Sequence, residues 1–177
     1  IFAVNRLQAD LLAAASNRIA VTESEAKAFY DQNPKEFEIP ERVHVAVLHI
    51  ALPADASEAR RREALAKANK IRQEAAALPS ATTHFGALTA KYSDDQATRY
   101  SGGDAGWLSR ESGGKRWGSQ VINVAFMLKN KGELSLVISS DQGLYILKLM
   151  DRRESSQMPF ERVAAGLRRK MEEDRSK

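Results

Sequence analysis

The stretch of sequence that decides the fold is Tyr-Ser-Asp-Asp-Gln-Ala-Thr-Arg-Tyr-Ser-Gly-Gly-Asp-Ala-Gly-Trp, which runs from Tyr92 to Trp107. An apolar helix end gives way here to two acids, Asp94 and Asp95, and then to a polar loop and glycines. Glycine has no Cβ atom, so it permits positive φ angles and lets the backbone approach another segment closely. The pattern therefore predicts a loop that forms one wall of a cleft.

The composition is typical of a soluble globular protein with one domain of ordinary size and some appendages. The chain has 177 residues, of which 43% are hydrophobic and 28% are charged, with a formal net charge of +4. This charge permits weak attraction to acidic partners. The sequence contains no cysteine, which excludes disulfides, cysteine-ligated zinc and thiol catalysis within it.

Three further classes of site are not expected. The basic run Arg60-Arg61-Arg62 falls on the polar face of a predicted helix, and no nucleic-acid-binding motif accompanies it, so no nucleic-acid partner is predicted. The glycines of 102–106 lack the lysine and the following Ser or Thr of a phosphate-binding loop. Acids beside serine and glycine usually serve loops and helix caps, so neither a metal nor a cofactor is predicted.

The chain begins Ile1-Phe2-Ala3-Val4, without Met and inside an apolar pattern, which we interpret as a processed or truncated piece. A signal peptide or lipid anchor would then lie outside this sequence. No apolar run reaches the length of a membrane span. Residues 1–16 have apolar side chains near helical spacing, which predicts an amphipathic helix.

The later elements are predicted from local signals. Thr22 and Glu25 have the form of a capping box, with Val21 as a hydrophobic staple, and the helix should end by Asn33-Pro34. Alternation over 43–50 predicts a strand with Val43, Val45, Val47 and His49 on one face. A long helix capped within Asp55-Ala56-Ser57-Glu58 is predicted to run to about Leu78, with the stripe Leu65, Ala68, Ile71, Ala75 and Leu78. The further predicted elements are a helix carrying Phe85, Leu88 and Tyr92, a helix over 121–128, strands over 136–139 and 143–150, and a helix opened by Pro159-Phe160 with the stripe Phe160, Val163, Leu167 and Met171.

This order of elements predicts an α+β fold in which helices pack on an antiparallel sheet. Five pieces of the sequence, in the same order and spacing, resemble the parvulin-type (PpiC or rotamase) peptidyl-prolyl cis-trans isomerases. The pieces are His49-Ile50, Phe85 through Asp95, Gly102 through Trp107, Ala125 through Leu134, and Gly143 through Leu149. The lead-in over 30–42 resembles that of exported foldases of the PrsA and SurA type.

The resemblance implies a small twisted antiparallel sheet surrounded by helices, with a parvulin-type domain over residues 41–152. It also implies that the flanks 1–40 and 153–177 pack on each other as a chaperone-like module, which in this family can be shared between two chains as a homodimer. The expected location is periplasmic, or otherwise exported or membrane-associated, in a bacterium. The absence of cysteine agrees with export.

The resemblance also assigns the candidate catalytic positions. His49 matches the first of the family's two core histidines, and Asp95 matches the Cys or Asp beside the substrate carbonyl. Ser140, or alternatively Ser139, matches the Ser or Thr of the histidine network. Tyr145 occupies the position of the second histidine, which is a departure from the family. A histidine on an apolar strand face can also be a purely structural core residue, and this reading of His49 stays open.

The candidate substrate-binding positions match the family pattern less closely than the catalytic positions do. Phe126 and Leu128 match apolar positions of the proline-site wall and its supporting core, whereas Ala105 replaces the usual Leu or Met. The chain is a few residues longer than usual between Trp107 and Phe126, so Trp117 or Val121 would stand in for the Met and Phe that grip proline. Trp107 is expected in the core and Trp117 at the cleft rim.

The resemblance implies an isomerase that rotates X-Pro bonds of unfolded or partly folded exported proteins without a cofactor. The alternative is a weak or inactive parvulin domain, altered at Tyr145 and Ala105, that acts as a peptide-binding chaperone. A third reading is a dimerisation or scaffold module. Rotation of an X-Pro bond breaks no covalent bond, so an apolar cleft that excludes water is the main requirement.

Overall fold

The computed structural model of the chain describes residues 20–79 and 81–177. The helix predicted over 1–16 lies outside these residues. The described part of the chain divides into two compact units, one formed by Pro40–Glu154 and the other by the described residues before and after it. None of the helices within the described ranges has the length and apolar character needed to cross a bilayer.

The helices are α1 Glu23–Gln32, α2 Glu58–Ala76, α3 Ala87–Tyr92, α4 Arg110–Met127 and α5 Phe160–Arg175, with a 3₁₀ turn at Pro34–Phe37. The strands are β1 Glu38–Ile39, β2 Arg42–Ala51, β3 Asp104–Leu108, β4 Ile138–Ser140, β5 Gly143–Arg153 and β6 Ser156–Gln157. Helices combined with antiparallel strand pairs confirm the predicted α+β class.

In the flanking unit, α1 and α5 pack through apolar side chains, and β1 pairs with β6. The predicted capping box of α1 is present, since the Thr22 side chain accepts from the Glu25 N–H and the Glu25 carboxylate accepts from the Thr22 N–H. The core of this unit is Val21, Ala26 and Leu167, with Phe29, Tyr30, Phe37, Phe160 and Met171 partly buried around it. Of the stripe predicted for the last helix, Phe160, Leu167 and Met171 belong to this core, whereas Val163 is half-buried outside it.

The pH dependence of this unit should reflect Glu25. A 2.5 Å ion pair from Arg175, together with the hydrogen bonds from Thr22, lowers the pKa of Glu25 to about 2. A depressed pKa stabilises the fold above the unfolded-state value and loses that contribution as the pH falls toward the folded value. We expect Glu25→Gln to lower the melting temperature at about pH 6 and to converge with the wild type near pH 2, as followed by circular dichroism.

The matched control is Glu23→Gln in the same first turn, because Glu23 shares the helix N-terminus but not the contact with Arg175. A Glu25→Gln variant with an unchanged melting temperature at neutral pH would contradict this account of the helix start.

In the 40–154 unit, a four-stranded antiparallel sheet has the order β3-β2-β5-β4. The two long central strands pair along β2 with one register shift between His44 and Val45, and His49 lies directly opposite Tyr145. One face of the sheet buries Val43, Val45 and Val47 against α4, and the other buries Ala46, Leu48 and Ile50 against α2. The predicted division of strand 43–50 into two faces is confirmed, and both faces carry a core.

The glycine loop lies against β2. Gly103 has φ +86°, and a Cβ atom there would lie 2.5 Å from the Val47 carbonyl oxygen. This close approach lets Val47 N–H donate to Gly103 O at 2.8 Å. Next to it, Asp104 Oδ1 contacts His44 Nε2 at 2.6 Å and accepts from Gly106 N–H at 2.8 Å. Burial acts to raise the pKa of Asp104, but these hydrogen bonds outweigh it and lower that pKa.

Two predictions about elements were wrong, and a third element is longer than predicted. Leu65 is 44% exposed, because Ala64 rather than Leu65 joins Ala68, Ile71 and Ala75 on the buried side of α2. Phe85 is buried but precedes α3, whose N-cap is Gly86. The helix predicted over 121–128 is confirmed as the second part of α4, which was not predicted to begin at Arg110 and which breaks at Gly118, where φ is 82°.

Trp107 was expected in the core and Trp117 at the cleft rim, but Trp117 is the more deeply buried of the two. Trp117 is only 6% exposed and belongs to the core on the α4 face. Trp107 is half-buried, and the Arg153 guanidinium lies 4.2 Å from its ring. The reason is that the residues before Gly118 are helical, which turns Trp117 inward instead of leaving it on a loop.

Candidate active site

The antiparallel pairing of β2 with β5 brings His49 and Tyr145 together. Their rings stack with centroids 4.4 Å apart and planes 13° from parallel. Tyr145 is 1% exposed and His49 is half-buried. Two side chains that are neighbours only through strand register thus form one rigid unit at the end of the sheet.

The short turn between β4 and β5 completes a hydrogen-bonded network with these rings. His49 Nε2 lies 3.0 Å from the Gln142 carbonyl oxygen, and Tyr145 Oη donates to Gln142 Oε1 at 3.1 Å. Ser140 Oγ accepts from Gln142 N–H at 3.2 Å and donates to the Gly143 carbonyl at 3.4 Å. The turn is therefore fixed to both rings, and Gln142 is its central member.

The acidic loop is anchored to β2 beside the same network. Ser93 Oγ accepts from the His49 N–H at 3.2 Å and from the Asp95 N–H at 3.3 Å, while Asp94 N–H donates to the His49 carbonyl at 2.8 Å. Asp94 Oδ2 accepts from Ala51 N–H at 2.8 Å. Asp94 is thus a loop anchor, so Asp95 is the acid of this pair whose carboxylate does not bind β2.

The Asp95 carboxylate has two partners and a nearby phenol. Its Oδ2 accepts from Thr98 Oγ1 at 2.5 Å and from Arg116 Nη2 at 3.4 Å, and its side chain stays 19% exposed. Burial, and then the negative charge of Asp95, raise the pKa of Tyr145 against a smaller lowering by Ser140. The Tyr145 hydroxyl therefore stays protonated near neutral pH and acts as a hydrogen-bond donor.

A pocket of about 250 Å³ lies beside this network. It is lined by Trp117, Gly118, Ser119, Gln120, Ser140, Asp141 and Gln142. The break of α4 at Gly118 forms one side, and the β4–β5 turn forms the other. The Arg116 guanidinium lies 4.2 Å from the Trp117 ring, so a cation and an aromatic surface stand next to the pocket.

The predicted catalytic residues His49, Asp95, Ser140 and Tyr145 thus lie in one cluster. The predicted substrate-binding residues fall into two groups, one in the pocket lining and one in or against the core. Trp117 lines the pocket, whereas Val121, Phe126 and Leu128 are 2%, 5% and 5% exposed and form the core beneath it. Ala105 is half-buried against that core. Contact of these four side chains with a substrate stays a prediction, since it would require the core to open.

Three residues of the cluster escaped prediction from the sequence. Gln142 sits in the predicted turn, but only the tertiary structure shows its bonds to both rings. Thr98 and Arg116 reach Asp95 from a loop and from a part of α4 that was not predicted to be helical. Within residues 20–79 and 81–177, no group of three or more His, Asp or Glu side chains could hold a metal ion.

Two curated proteins that are similar in sequence to this chain are named as chaperones. "Chaperone SurA" of Hahella chejuensis is 31% identical over 137 residues, which is 77% of this chain and 29% of the relative. "Periplasmic chaperone PpiD" of Haemophilus ducreyi is 28% identical over 82% of this chain and 20% of the relative. The chain therefore spans less than a third of the length of these curated relatives.

Solved structures share the fold. A SurA-like chaperone of Campylobacter jejuni superimposes with a TM-score of 0.70 at 21% identity, covering 99% of this chain and 66% of the other. A PpiC-type peptidyl-prolyl cis-trans isomerase domain superimposes with a TM-score of 0.52 at 25% identity, covering 66% of this chain and 94% of the other. The family described as "PPIC-type PPIASE domain" matches residues 21–165, and the chain belongs to this parvulin-type family of peptidyl-prolyl cis-trans isomerase domains.

Proposed function

We propose that the 40–154 unit catalyses cis-trans isomerisation of X-Pro bonds, with the substrate bound in the pocket between Gly118 and the β4–β5 turn. The observation that carries this proposal is the stacked His49–Tyr145 pair, tied to Gln142 at the pocket wall and close to Asp95. Membership of the isomerase family favours catalysis over a binding-only domain.

The reaction needs positioning rather than covalent chemistry. The barrier to rotation is about 18–20 kcal/mol because the amide loses resonance as it twists. In the twisted state the carbonyl oxygen carries less negative charge than in the planar amide. A site lowers the barrier if it stabilises the twisted state more than the planar one.

Asp95 can supply this difference through electrostatics. A fixed negative charge beside the carbonyl oxygen disfavours the polarised planar amide more than the twisted amide, so it lowers the barrier between them. Thr98 and Arg116 hold the carboxylate in place. The nearly buried Tyr145 acts as a positioning residue, because its hydroxyl bonds to Gln142 rather than facing the pocket.

Blocking the pocket tests where the substrate binds. Ser119 is exposed and lines the pocket, so we expect Ser119→Trp to fill it and to reduce kcat/KM roughly 10- to 100-fold. The measurement is a protease-coupled assay with an X-Pro peptide, repeated as proline-limited refolding of a protein substrate.

The matched control is Asn123→Trp, which adds the same side chain to an exposed position of α4 outside the pocket lining. Wild-type activity in Ser119→Trp would remove the pocket from the proposal. A wild-type chain that gives no rate above background would remove the isomerase function itself.

The substrates we propose are unfolded or partly folded polypeptides that contain X-Pro, in an exported, periplasmic or membrane-associated bacterial setting. The names of the relatives, "Chaperone SurA" and "Periplasmic chaperone PpiD", support this setting. We also propose that the flanking unit, with its half-buried aromatics Phe29, Tyr30 and Phe160, acts as a chaperone-like module and a homodimer contact. Failure of the full chain to suppress aggregation of a proline-free client would refute the module.

A further inference from the structure

A lysine occupies a core position on the opposite face of the sheet. Along β5, Tyr145, Leu147 and Leu149 face the α4 core, and Leu144 and Ile146 face the α2 core. Side chains alternate along a strand, so Lys148 belongs to the α2 face. It is only 4% exposed, which is unusual for a lysine side chain.

The ammonium group of Lys148 has no acidic partner in the described part of the chain. Burial lowers the pKa of Lys148, and no neighbouring charge counteracts this shift. Two acids on segments that line the pocket, Glu74 on α2 and Glu133 beside Leu134, bind other groups. Glu74 accepts a hydrogen bond from Tyr92 Oη at 3.2 Å, and Glu133 accepts from the N–H groups of Lys129 and Asn130 at 2.9 and 2.8 Å.

Lys148 lines a pocket of about 240 Å³. The pocket is lined by Ala75, Ala76, Leu78, Lys131, Gly132, Leu134 and Lys148. One side is apolar, from the end of α2 and from Leu134, and the other side carries two lysines and no acid. At about 30 Å³ per water molecule, this volume suits a small polar head with a short aliphatic chain.

We propose that this pocket binds a carboxylate carried on a short apolar group, with Lys148 forming the ion pair and Lys131 at the entrance. Such a carboxylate has two sources, the C-terminus of an extended polypeptide or a free small carboxylic acid. The apolar wall favours either over an inorganic anion. The pocket lies across the sheet from the candidate active site, so the proposal does not depend on the isomerase function.

The test is nitrogen-15 NMR titration of the full chain with four probes. The probes are acetyl-Ala-Leu with a free carboxylate, the same peptide as its amide, butyrate and inorganic phosphate. We expect saturable shifts of the Gly132 and Leu134 amide signals with the first peptide and with butyrate, and binding of the amide weaker by about tenfold or more. If acetyl-Ala-Leu binds more tightly than butyrate, the ligand is the C-terminus of a polypeptide. If the two probes bind with equal affinity, the ligand is a free small carboxylic acid.

The variant Lys148→Met should weaken binding by about tenfold or more and leave the isomerase rate unchanged. Lys129→Met is the matched control, since Lys129 is exposed and outside the pocket lining. Lys148→Gln repeats the test with a polar side chain, and the melting temperature of each variant reports its folding.

Three results would overturn the proposal. They are the absence of saturable shifts with either carboxylate, equal binding of the amide, and phosphate binding as tightly as butyrate. A stability loss in Lys148→Met without carboxylate binding by the wild type would show instead that Lys148 only complements the carbonyl end of α2.

Discussion

Gly143→Ala is expected to lower the free energy of unfolding of the 40–154 unit by about 3 kcal/mol or more. Gly143 has φ +131°, and a Cβ atom there would overlap the Ile50 carbonyl oxygen and lie 2.8 Å from the Leu52 nitrogen. These are backbone atoms at the end of β2, where Ala51 pairs with Gly143. They cannot move away without opening the central strand pair that holds His49 against Tyr145.

Tryptophan fluorescence in a denaturant titration measures this effect directly. Both tryptophans of the chain, Trp107 and Trp117, lie in the 40–154 unit, so the signal reports that unit alone. The matched control is Gly132→Ala. Gly132 has φ +84°, but a Cβ atom added there would meet nothing within 4 Å, so only backbone strain of about 1–2 kcal/mol applies. Equal losses in the two variants would contradict the steric account.

Local signals predicted most of the fold. Alternation identified β2, a capping box identified α1, and apolar spacing identified α5, because each signal depends on residues close in sequence. The first half of α4 was missed for the same reason. Gly113, Gly114 and Gly118 lower its helix propensity, yet at Gly113 the missing Cβ atom leaves room for the buried Ile122 side chain. Tertiary packing overrides propensity there.

The site was predictable only where register or family resemblance fixed it. His49 and Tyr145 face each other because the register of β2 and β5 requires it once the pairing is known. The bonds of Gln142 to both rings, and of Arg116 to Asp95, depend on the tertiary fold, and no local pattern encodes them. Burial of Val121 and Phe126 follows from the added helical turns, which place Trp117 between the core and the pocket.

Asp95→Ala is expected to reduce kcat/KM for an X-Pro peptide by about 100-fold, in the range seen when one electrostatic contact to a transition state is removed. The carboxylate is partly exposed, held by Thr98 and Arg116, and close enough to Tyr145 to raise its pKa. Asp95→Asn keeps an acceptor for Thr98 but removes the charge, so it should lose nearly as much activity. Retention of activity in Asp95→Asn would show that the hydrogen bond, not the charge, matters.

The titration of Tyr145 distinguishes loss of the Asp95 charge from misfolding of the variant. Loss of the Asp95 charge should lower the pKa of Tyr145 in both variants, visible as tyrosinate absorbance at lower pH than in the wild type. Glu111→Gln is the control, because it neutralises an exposed acid on α4 that pairs with Lys115. If kcat/KM is unchanged in Asp95→Ala while the pKa of Tyr145 falls as expected, the Asp95 charge acts on Tyr145 but not on the substrate carbonyl. Asp95 would then belong to the hydrogen-bonded network without taking part in the reaction.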